Sequence, residues 1–152
     1  MALRLSIDTN IFISIKNKEE PYYRQSKRVL ELVDDGKAEG VVSSIVIAEV
    51  CSGYHEFNEQ TERDEFLMQL TTNANYKIIN IDWRIADEAG RIRAKTHLRL
   101  PDAILVASSM AAGAPLIVTH DDQLAKAEEF IRVLTAEQTL RELDEQSRKI
   151  VP

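Results

Sequence analysis

The alternation of short apolar runs with helix-like segments is the feature that most restricts the fold of this 152-residue chain. Five runs rich in β-branched and other aliphatic residues predict strands, and segments with apolar residues at helical spacing separate them. Strands separated by helices need crossover connections, which favour a mainly parallel sheet covered by helices on both faces. We therefore expect an α/β protein with three layers, α/β/α, around a central sheet of about five strands.

The predicted strands and helices follow one another without a visible linker or repeat, so we expect one domain over residues 1–152. The strands are predicted at 3–7, 40–43, 77–81, 115–118 and 131–134. The helices are predicted at about 10–15, 22–34, 45–57, 61–74, 83–97 and 101–113, with a short helix from 122 and a last helix after 135. Arg4 lies inside the first strand, and a doubly covered strand tolerates a cation only near its rim.

Composition and charge exclude several classes of protein. The net charge of −6 argues against a protein whose main work is to coat nucleic acid, but not against an enzyme that contacts it locally. The single cysteine, Cys51, excludes an intramolecular disulfide and a thiolate zinc site. The chain has no apolar stretch of the ~18 residues that a membrane span needs, and its first eight residues are too polar for a signal peptide. We expect a soluble, cytoplasmic protein with no membrane association.

Four acidic residues stand at informative places along the predicted elements. Asp8 directly follows the first strand, and Asp121 comes shortly after the fourth strand. Asp102 opens a helix after Pro101, and Glu49 interrupts the apolar run 45–51. Each of the three aspartates also suits a helix cap, and Glu49 also suits the polar stripe of an amphipathic helix.

The four acids together indicate a shared site, which no single one of them does. In a parallel sheet the ligand site lies outside the carboxyl ends of the strands, and the predicted elements bring all four acids towards that edge. Carboxylates that converge repel one another unless they are protonated or a cation neutralises them. Oxygen ligands favour Mg²⁺ or Mn²⁺, and no His/Cys spacing favours zinc. One or two such ions are suited to the hydrolysis of a phosphodiester.

Four motifs that contain these acids resemble those of the PIN-domain nucleases. Residues 8–12 (DTNIF) resemble the first motif of that family, and residues 43–50 (SSIVIAEV) resemble the second. Residues 100–107 (LPDAILVA) and 119–124 (THDDQL) resemble the third and the fourth. The motifs occur in the family's order, and the resemblance extends from about residue 3 to 140. It is closest to the small VapC-like toxins of bacterial and archaeal toxin–antitoxin pairs.

The resemblance implies a catalytic and metal-holding role for four residues: Asp8, Glu49, Asp102 and Asp121. Thr9 and Thr119 would be supporting hydroxyls that orient carboxylates or water. Asp122 stands beside Asp121, so either of them could face the metal. We expect Asn10 to cap the first helix rather than to orient Asp8, and Asp82 to be a helix cap only.

The function implied by the resemblance is that of a PIN-like, Mg²⁺- or Mn²⁺-dependent endoribonuclease, the toxin of a toxin–antitoxin pair. Its partners would be an RNA substrate, a cognate antitoxin that covers the acidic cleft or the neighbouring helices, and a second copy of the chain in a homodimer. The basic residues before Asp102 are candidates for contacts with RNA phosphates, namely Arg93, Lys95 and Arg99.

Three other functions fit parts of the pattern. A housekeeping RNA-processing PIN nuclease would carry the same acids, and a PIN-like interaction module without catalysis would share the fold. A receiver-like phosphoacceptor domain is also a parallel α/β fold with acids at strand ends. It would need an acidic pair at the first strand and a lysine after the fifth, where this chain has Thr135 and Ala136.

Overall fold

The computed structural model describes residues 2–150, so the limits of the expected domain, residues 1 and 152, lie outside this range. It contains five strands: β1 (Leu3–Ile7), β2 (Ala38–Ser43), β3 (Tyr76–Ile79), β4 (Leu116–Val118) and β5 (Arg132–Leu134). They form one sheet in the order β3-β2-β1-β4-β5, and every neighbouring pair is parallel. The predicted mainly parallel sheet of five strands is confirmed.

Helices cover both faces of this sheet. They are α1 (Thr9–Lys16), α2 (Tyr23–Asp34), α3 (Ser44–Glu56), α4 (Gln60–Thr72), α5 (Trp83–Thr96), α6 (Leu100–Ala111) and α7 (Ala136–Ile150), with a 3₁₀ helix at Asp122–Ala127. Consecutive residues of β1 and β4 are buried, and successive strand side chains point to opposite faces, so both faces are covered. The α/β/α prediction is therefore confirmed.

Three strand boundaries differ from the prediction by one residue, and two differ by two residues for local reasons. β3 ends at Ile79 rather than 81, because the N–H of Ile81 donates to the Ser44 hydroxyl (3.3 Å) instead of to a neighbouring strand. β2 begins at Ala38 rather than 40, because its first residues pair with Leu3 and Arg4 of β1.

Arg4 lies at the rim of the sheet, as its position in a covered strand requires. Its Nε donates to Glu39 (3.3 Å), which is its partner residue on β2, and its Nη1 donates to the carbonyl of Ala112 (2.9 Å). The side chain is 41% exposed, so the guanidinium keeps contact with water while two acceptors satisfy it.

Small residues on α6 allow that helix to pack closely against the sheet. The Ser109 hydroxyl lies 2.5 Å from that of Ser6 on β1, and the Ser108 hydroxyl lies 2.9 Å from that of Ser43 on β2. Ser108 and Ser109 also donate to carbonyls of their own helix, so the strand serines are left to donate to them. These buried contacts hold α6 in register with the central strands, which fixes the position of its first turn.

Within residues 2–150, the helices are all too short or too polar to cross a membrane.

Candidate active site

Asp8 lies at the centre of the carboxyl edge of the sheet, directly after β1. Its N–H donates to the carbonyl of Val118 on β4 (3.1 Å), and its side chain caps α1 by accepting the N–H of Thr9 (2.7 Å). The other carboxylate oxygen accepts the Thr119 hydroxyl (2.7 Å) and the Asn10 amide (3.2 Å). Asp8 is only 6% exposed, so these bonds hold a nearly buried carboxylate in one orientation.

Thr119 connects Asp8 to the segment after β4. Besides donating to Asp8, its buried hydroxyl accepts the Asn10 amide and the N–H of Asp121, each at 3.0 Å. The carbonyl oxygen of Asn10 in turn accepts the N–H of His120 (3.0 Å). Asn10 therefore bridges the two segments, and the expectation that it caps α1 is wrong because the Asp8 carboxylate takes that role.

Burial raises the pKa of Asp8 from 3.8 to about 6. The hydrogen bonds from Thr119 and Thr9 stabilise the carboxylate and lower the pKa, but less than burial raises it. The negative charges of Asp102 and Glu49 raise the pKa of Asp8 further. The ionised form of Asp8 is therefore disfavoured by burial and, to a smaller extent, by repulsion from these two carboxylates.

Asp102 is a buried acid in the first turn of α6 and does not cap that helix. The cap position belongs to Arg99, which makes no side-chain bond to the helix N–H groups. Asp102 is 7% exposed, and its Oδ2 accepts the Nε of Arg99 (3.3 Å), whose side chain is 73% exposed. The bond to Asp102 raises the pKa of Arg99, as do the charges of Asp102, Asp121 and Glu49.

Glu49 lies on the exposed side of α3, so the apolar run around it does not enclose it. Its Oε1 accepts the hydroxyl of Thr9 (2.7 Å), which joins α3 to the start of α1. Thr9 thus contacts two acids, through its N–H to Asp8 and through its hydroxyl to Glu49.

Asp121 is half-buried, whereas Asp122 is exposed. The side chain of Asp121 caps the 3₁₀ helix by accepting the N–H of Gln123 (2.9 Å), and its own N–H is held by Thr119. The Thr119 hydroxyl that donates to Asp8 also accepts the N–H of Asp121, so Asp121 is linked to the buried acid. This link favours Asp121 over the exposed Asp122 as the acid that faces the others.

The donor atoms at this edge suit a hard divalent cation, since all four acids offer oxygen and two of them are nearly buried. In the arrangement just described, residues 2–150 contain no group of three or more His, Cys, Asp or Glu side chains that could hold a metal ion. Arg99 engages Asp102 and Thr9 engages Glu49. Metal binding would therefore require a change from the side-chain arrangement described here.

A hydrogen-bonded group of polar side chains next to the site, His120, Ser26 and Ser14, was not predicted from the sequence. The His120 ring stacks on Tyr22, with centroids 4.2 Å apart, and its Nε2 lies 3.0 Å from the Ser26 hydroxyl. Ser26 is also bonded to Ser14 (2.8 Å), and burial lowers the pKa of His120. The three partners come from α1, α2 and the turn between them, so no local spacing could reveal the group.

The predicted phosphate contacts lie on or just after α5. Arg93 and Lys95 are exposed and form no ion pair with any residue between 2 and 150, whereas Arg99 is paired with Asp102. Lys95 lies over the ring of Phe130, 6.0 Å from its centroid. Two of the three predicted cations are therefore available to an anionic ligand.

Comparisons with known proteins agree on the fold. The chain is similar to a toxin–antitoxin complex from Klebsiella pneumoniae, with a TM-score of 0.66 and 24% identity over 87% of this chain and 97% of that one. VapBC2 from Rickettsia felis, bound to a fragment of its promoter DNA, gives a TM-score of 0.67 and 20% identity over 88% and 98% of the two chains. The sarcin–ricin loop cleaving toxin VapC20 from Mycobacterium tuberculosis gives 0.63 and 14% over 86% and 98%.

No curated protein matches the chain in sequence. A sequence model of the PIN domain, however, matches residues 5–130, which include all four acids and the four motifs that contain them. This chain belongs to the PIN-domain family.

Proposed function

We propose that this PIN domain is a metal-dependent endoribonuclease and the toxin of a toxin–antitoxin pair. The observation that carries the proposal is the hydrogen-bonded arrangement of acids around Asp8. Thr9 links Asp8 to Glu49, and Thr119 links Asp8 to Asp121. Burial, together with the charges of Asp102 and Glu49, raises the pKa of Asp8 to about 6. A buried carboxylate next to two others is electrostatically unfavourable unless a cation or a proton neutralises the group. Such a site is suited to binding a divalent cation and a phosphodiester.

The acids that would hold Mg²⁺ or Mn²⁺, directly or through water, are Asp8, Glu49, Asp102 and Asp121. When bound, the ion supplies an activated water and positive charge for hydrolysis of the phosphodiester. Thr119 and Asn10 fix the orientation of Asp8, and Thr9 positions Glu49. We propose these three as positioning residues.

Cations next to the acids would hold the RNA backbone. Arg99 lies at the site itself, and Arg93 and Lys95 are exposed on the last turn of α5. Each contact between such a cation and a phosphate releases condensed counterions, which favours binding even though the protein carries a net charge of −6.

The structural neighbours support the toxin role and its partners. One is a toxin–antitoxin complex and another is a toxin that cleaves the sarcin–ricin loop. By analogy we propose an RNA substrate, an antitoxin that covers the acidic cleft, and a homodimer in which two clefts act on one structured RNA. We also propose that residues 1–152 form one domain located in the cytoplasm.

Cleavage assays test the activity directly. The purified protein, freed of any antitoxin, should cleave RNA in Mg²⁺ or Mn²⁺ and should stop in EDTA. Asp8→Asn should abolish cleavage, because it removes a charge from the centre of the acidic group, and its circular dichroism spectrum should match that of the wild type. Asp82→Asn is the matched control, since Asp82 caps α5 through Ile85 and should leave cleavage intact. Cleavage by Asp8→Asn at the wild-type rate would refute the assignment.

A further inference from the structure

Trp83 is the only tryptophan of the chain. At 72% exposed, it is the most exposed large apolar side chain between residues 2 and 149. It is the first residue of α5 and lies directly after the cap residue Asp82. The Arg84 guanidinium lies over its ring, 4.8 Å from the ring centre. The structure therefore presents to solvent a flat aromatic surface with a cation next to it.

The strand register places the end of β3, four residues before Trp83, on the same edge of the sheet as the acids. Ile79 of β3 is paired with Ser43 of β2, and continuing the β1–β2 register by two residues places Ser43 beside Asp8. Ile79 and Asp8 are therefore two strands apart, which corresponds to about 10 Å between their backbones. The chain stays at this edge after β3, because the N–H of Ile81 donates to Ser44 at the start of α3.

The cation beside Trp83 suits a nucleic acid. Arg84, like Arg93 and Lys95 further along α5, forms no ion pair with any residue that the structure describes. Aromatic rings beside cations are the usual elements of a surface that binds single-stranded nucleic acid, because the ring stacks on a base and the cation contacts a phosphate.

Phe57 offers an internal comparison. It is 67% exposed and Lys16 lies over its ring, at 5.9 Å. Lys16, however, is bound to Glu59 at 3.0 Å, and Phe57 follows the last residue of α3, the end opposite to the acidic edge. Of these two exposed aromatic residues, only Trp83 combines an unpaired cation with a position on the edge that carries the acids.

We propose that Trp83 and Arg84 form a stacking platform for an unpaired nucleobase of the RNA strand that crosses the acidic edge. The proposal rests on the ribonuclease function and deepens it by assigning the substrate a single-stranded segment close to the cleaved bond. Trp83 is then a substrate-binding residue, whereas the acids act on the phosphodiester.

Tryptophan fluorescence tests the platform, because all indole emission of this protein comes from Trp83. The wild-type protein is titrated in EDTA, which prevents metal-dependent cleavage, with a mixed-sequence single-stranded RNA of 20 nucleotides. A second titration uses an abasic ribose-phosphate oligomer of the same length. Stacking predicts that the RNA quenches the emission and that the abasic oligomer, although it binds the cations, does not.

Variants measured by fluorescence anisotropy of a labelled RNA give a second readout. Trp83→Ala should weaken binding by about tenfold, the loss expected for one stacked base. Trp83→Phe should retain most of the affinity because it keeps an aromatic face. Phe57→Ala is the matched control and should bind RNA as the wild type does. Substitution of an exposed first helical residue leaves the packing of α5 in place.

The outcomes separate this proposal from the function on which it rests. Unchanged emission on RNA binding, equal quenching by the abasic oligomer, or full affinity in Trp83→Ala would overturn the platform, and RNA cleavage in Mn²⁺ would then leave the ribonuclease function standing. Emission that depends on protein concentration but not on RNA would show that a second copy of the chain covers Trp83, which also overturns the proposal. Failure of the wild type to bind or cleave RNA would refute both.

Discussion

The carboxylate of Asp8 serves two purposes that the sequence presents as alternatives. It caps α1 through the N–H of Thr9, and it faces the other acids while Thr119 and Asn10 hold it in place. A cap in solvent would keep an ordinary pKa, whereas burial and neighbouring charges raise that of Asp8 to about 6. The raised pKa means that the folded protein binds a proton at Asp8 more readily than the unfolded chain does.

Stability should therefore depend on pH through Asp8. Proton binding at Asp8 stabilises the folded protein, and this stabilisation is fully present below pH 3.8 and is lost as the pH rises through about 6. The loss lowers the free energy of unfolding by about 3 kcal/mol. Asp8→Asn stays neutral, so its stability relative to the wild type should increase between pH 4 and 7. Urea unfolding in EDTA across this range measures the difference.

The Thr119 hydroxyl provides a check on the same effect. Its bond lowers the pKa of Asp8, so in Thr119→Val the pH-dependent loss should extend to higher pH. Unfolding free energies of wild type and Asp8→Asn that stay parallel from pH 4 to 7 would contradict the raised pKa.

At the scale of elements, apolar runs, helical spacing and cap residues together were sufficient to predict the order of the strands and helices, because both faces of the sheet are covered. The boundaries were less predictable. β3 ends early because Ser44 captures the N–H of Ile81, and Arg4 is accommodated by Glu39 and Ala112. Those partners lie 35 residues or more away along the chain, so no local pattern contains them.

The packing around Gly40 of β2 leaves no room for a side chain. A Cβ atom at this position of β2 would lie 2.8 Å from the Tyr76 ring and 3.1 Å from Val33. Gly40→Ala should therefore lower the free energy of unfolding by about 1–3 kcal/mol through overpacking. Gly53→Ala is the matched control, because a Cβ there meets open space inside α3, and it should raise stability by about 0.5–1 kcal/mol. A urea midpoint of Gly40→Ala at or above that of the wild type would show that the close packing at Gly40 is absent.

At the scale of the whole molecule, the topology explains how residues far apart in sequence form one site. Parallel strands end at the same edge, so Asp8 after β1 and Asp121 after β4 are brought together, and α6 adds Asp102. This convergence was predictable from element order alone. The bonds from Asn10 to Thr119 and from Thr9 to Glu49 were not, because side-chain pairing across 40 or 109 residues depends on details of packing.

The central claim is that these acids form a metal-dependent centre, and differential scanning calorimetry of wild type and Asp102→Asn tests it most directly. In EDTA, Asp102→Asn should melt higher than the wild type, because it removes a charge that repels Asp8. Mn²⁺ at ten times its Kd should stabilise the wild type by about 1.4 kcal/mol, or about 3–5 °C, and reverse the order. Asp82→Asn keeps a side chain that caps α5, because Asn caps helices as well as Asp does, and it should melt close to the wild type in both conditions. Melting temperatures of wild type and Asp102→Asn that respond equally to Mn²⁺ would contradict the account.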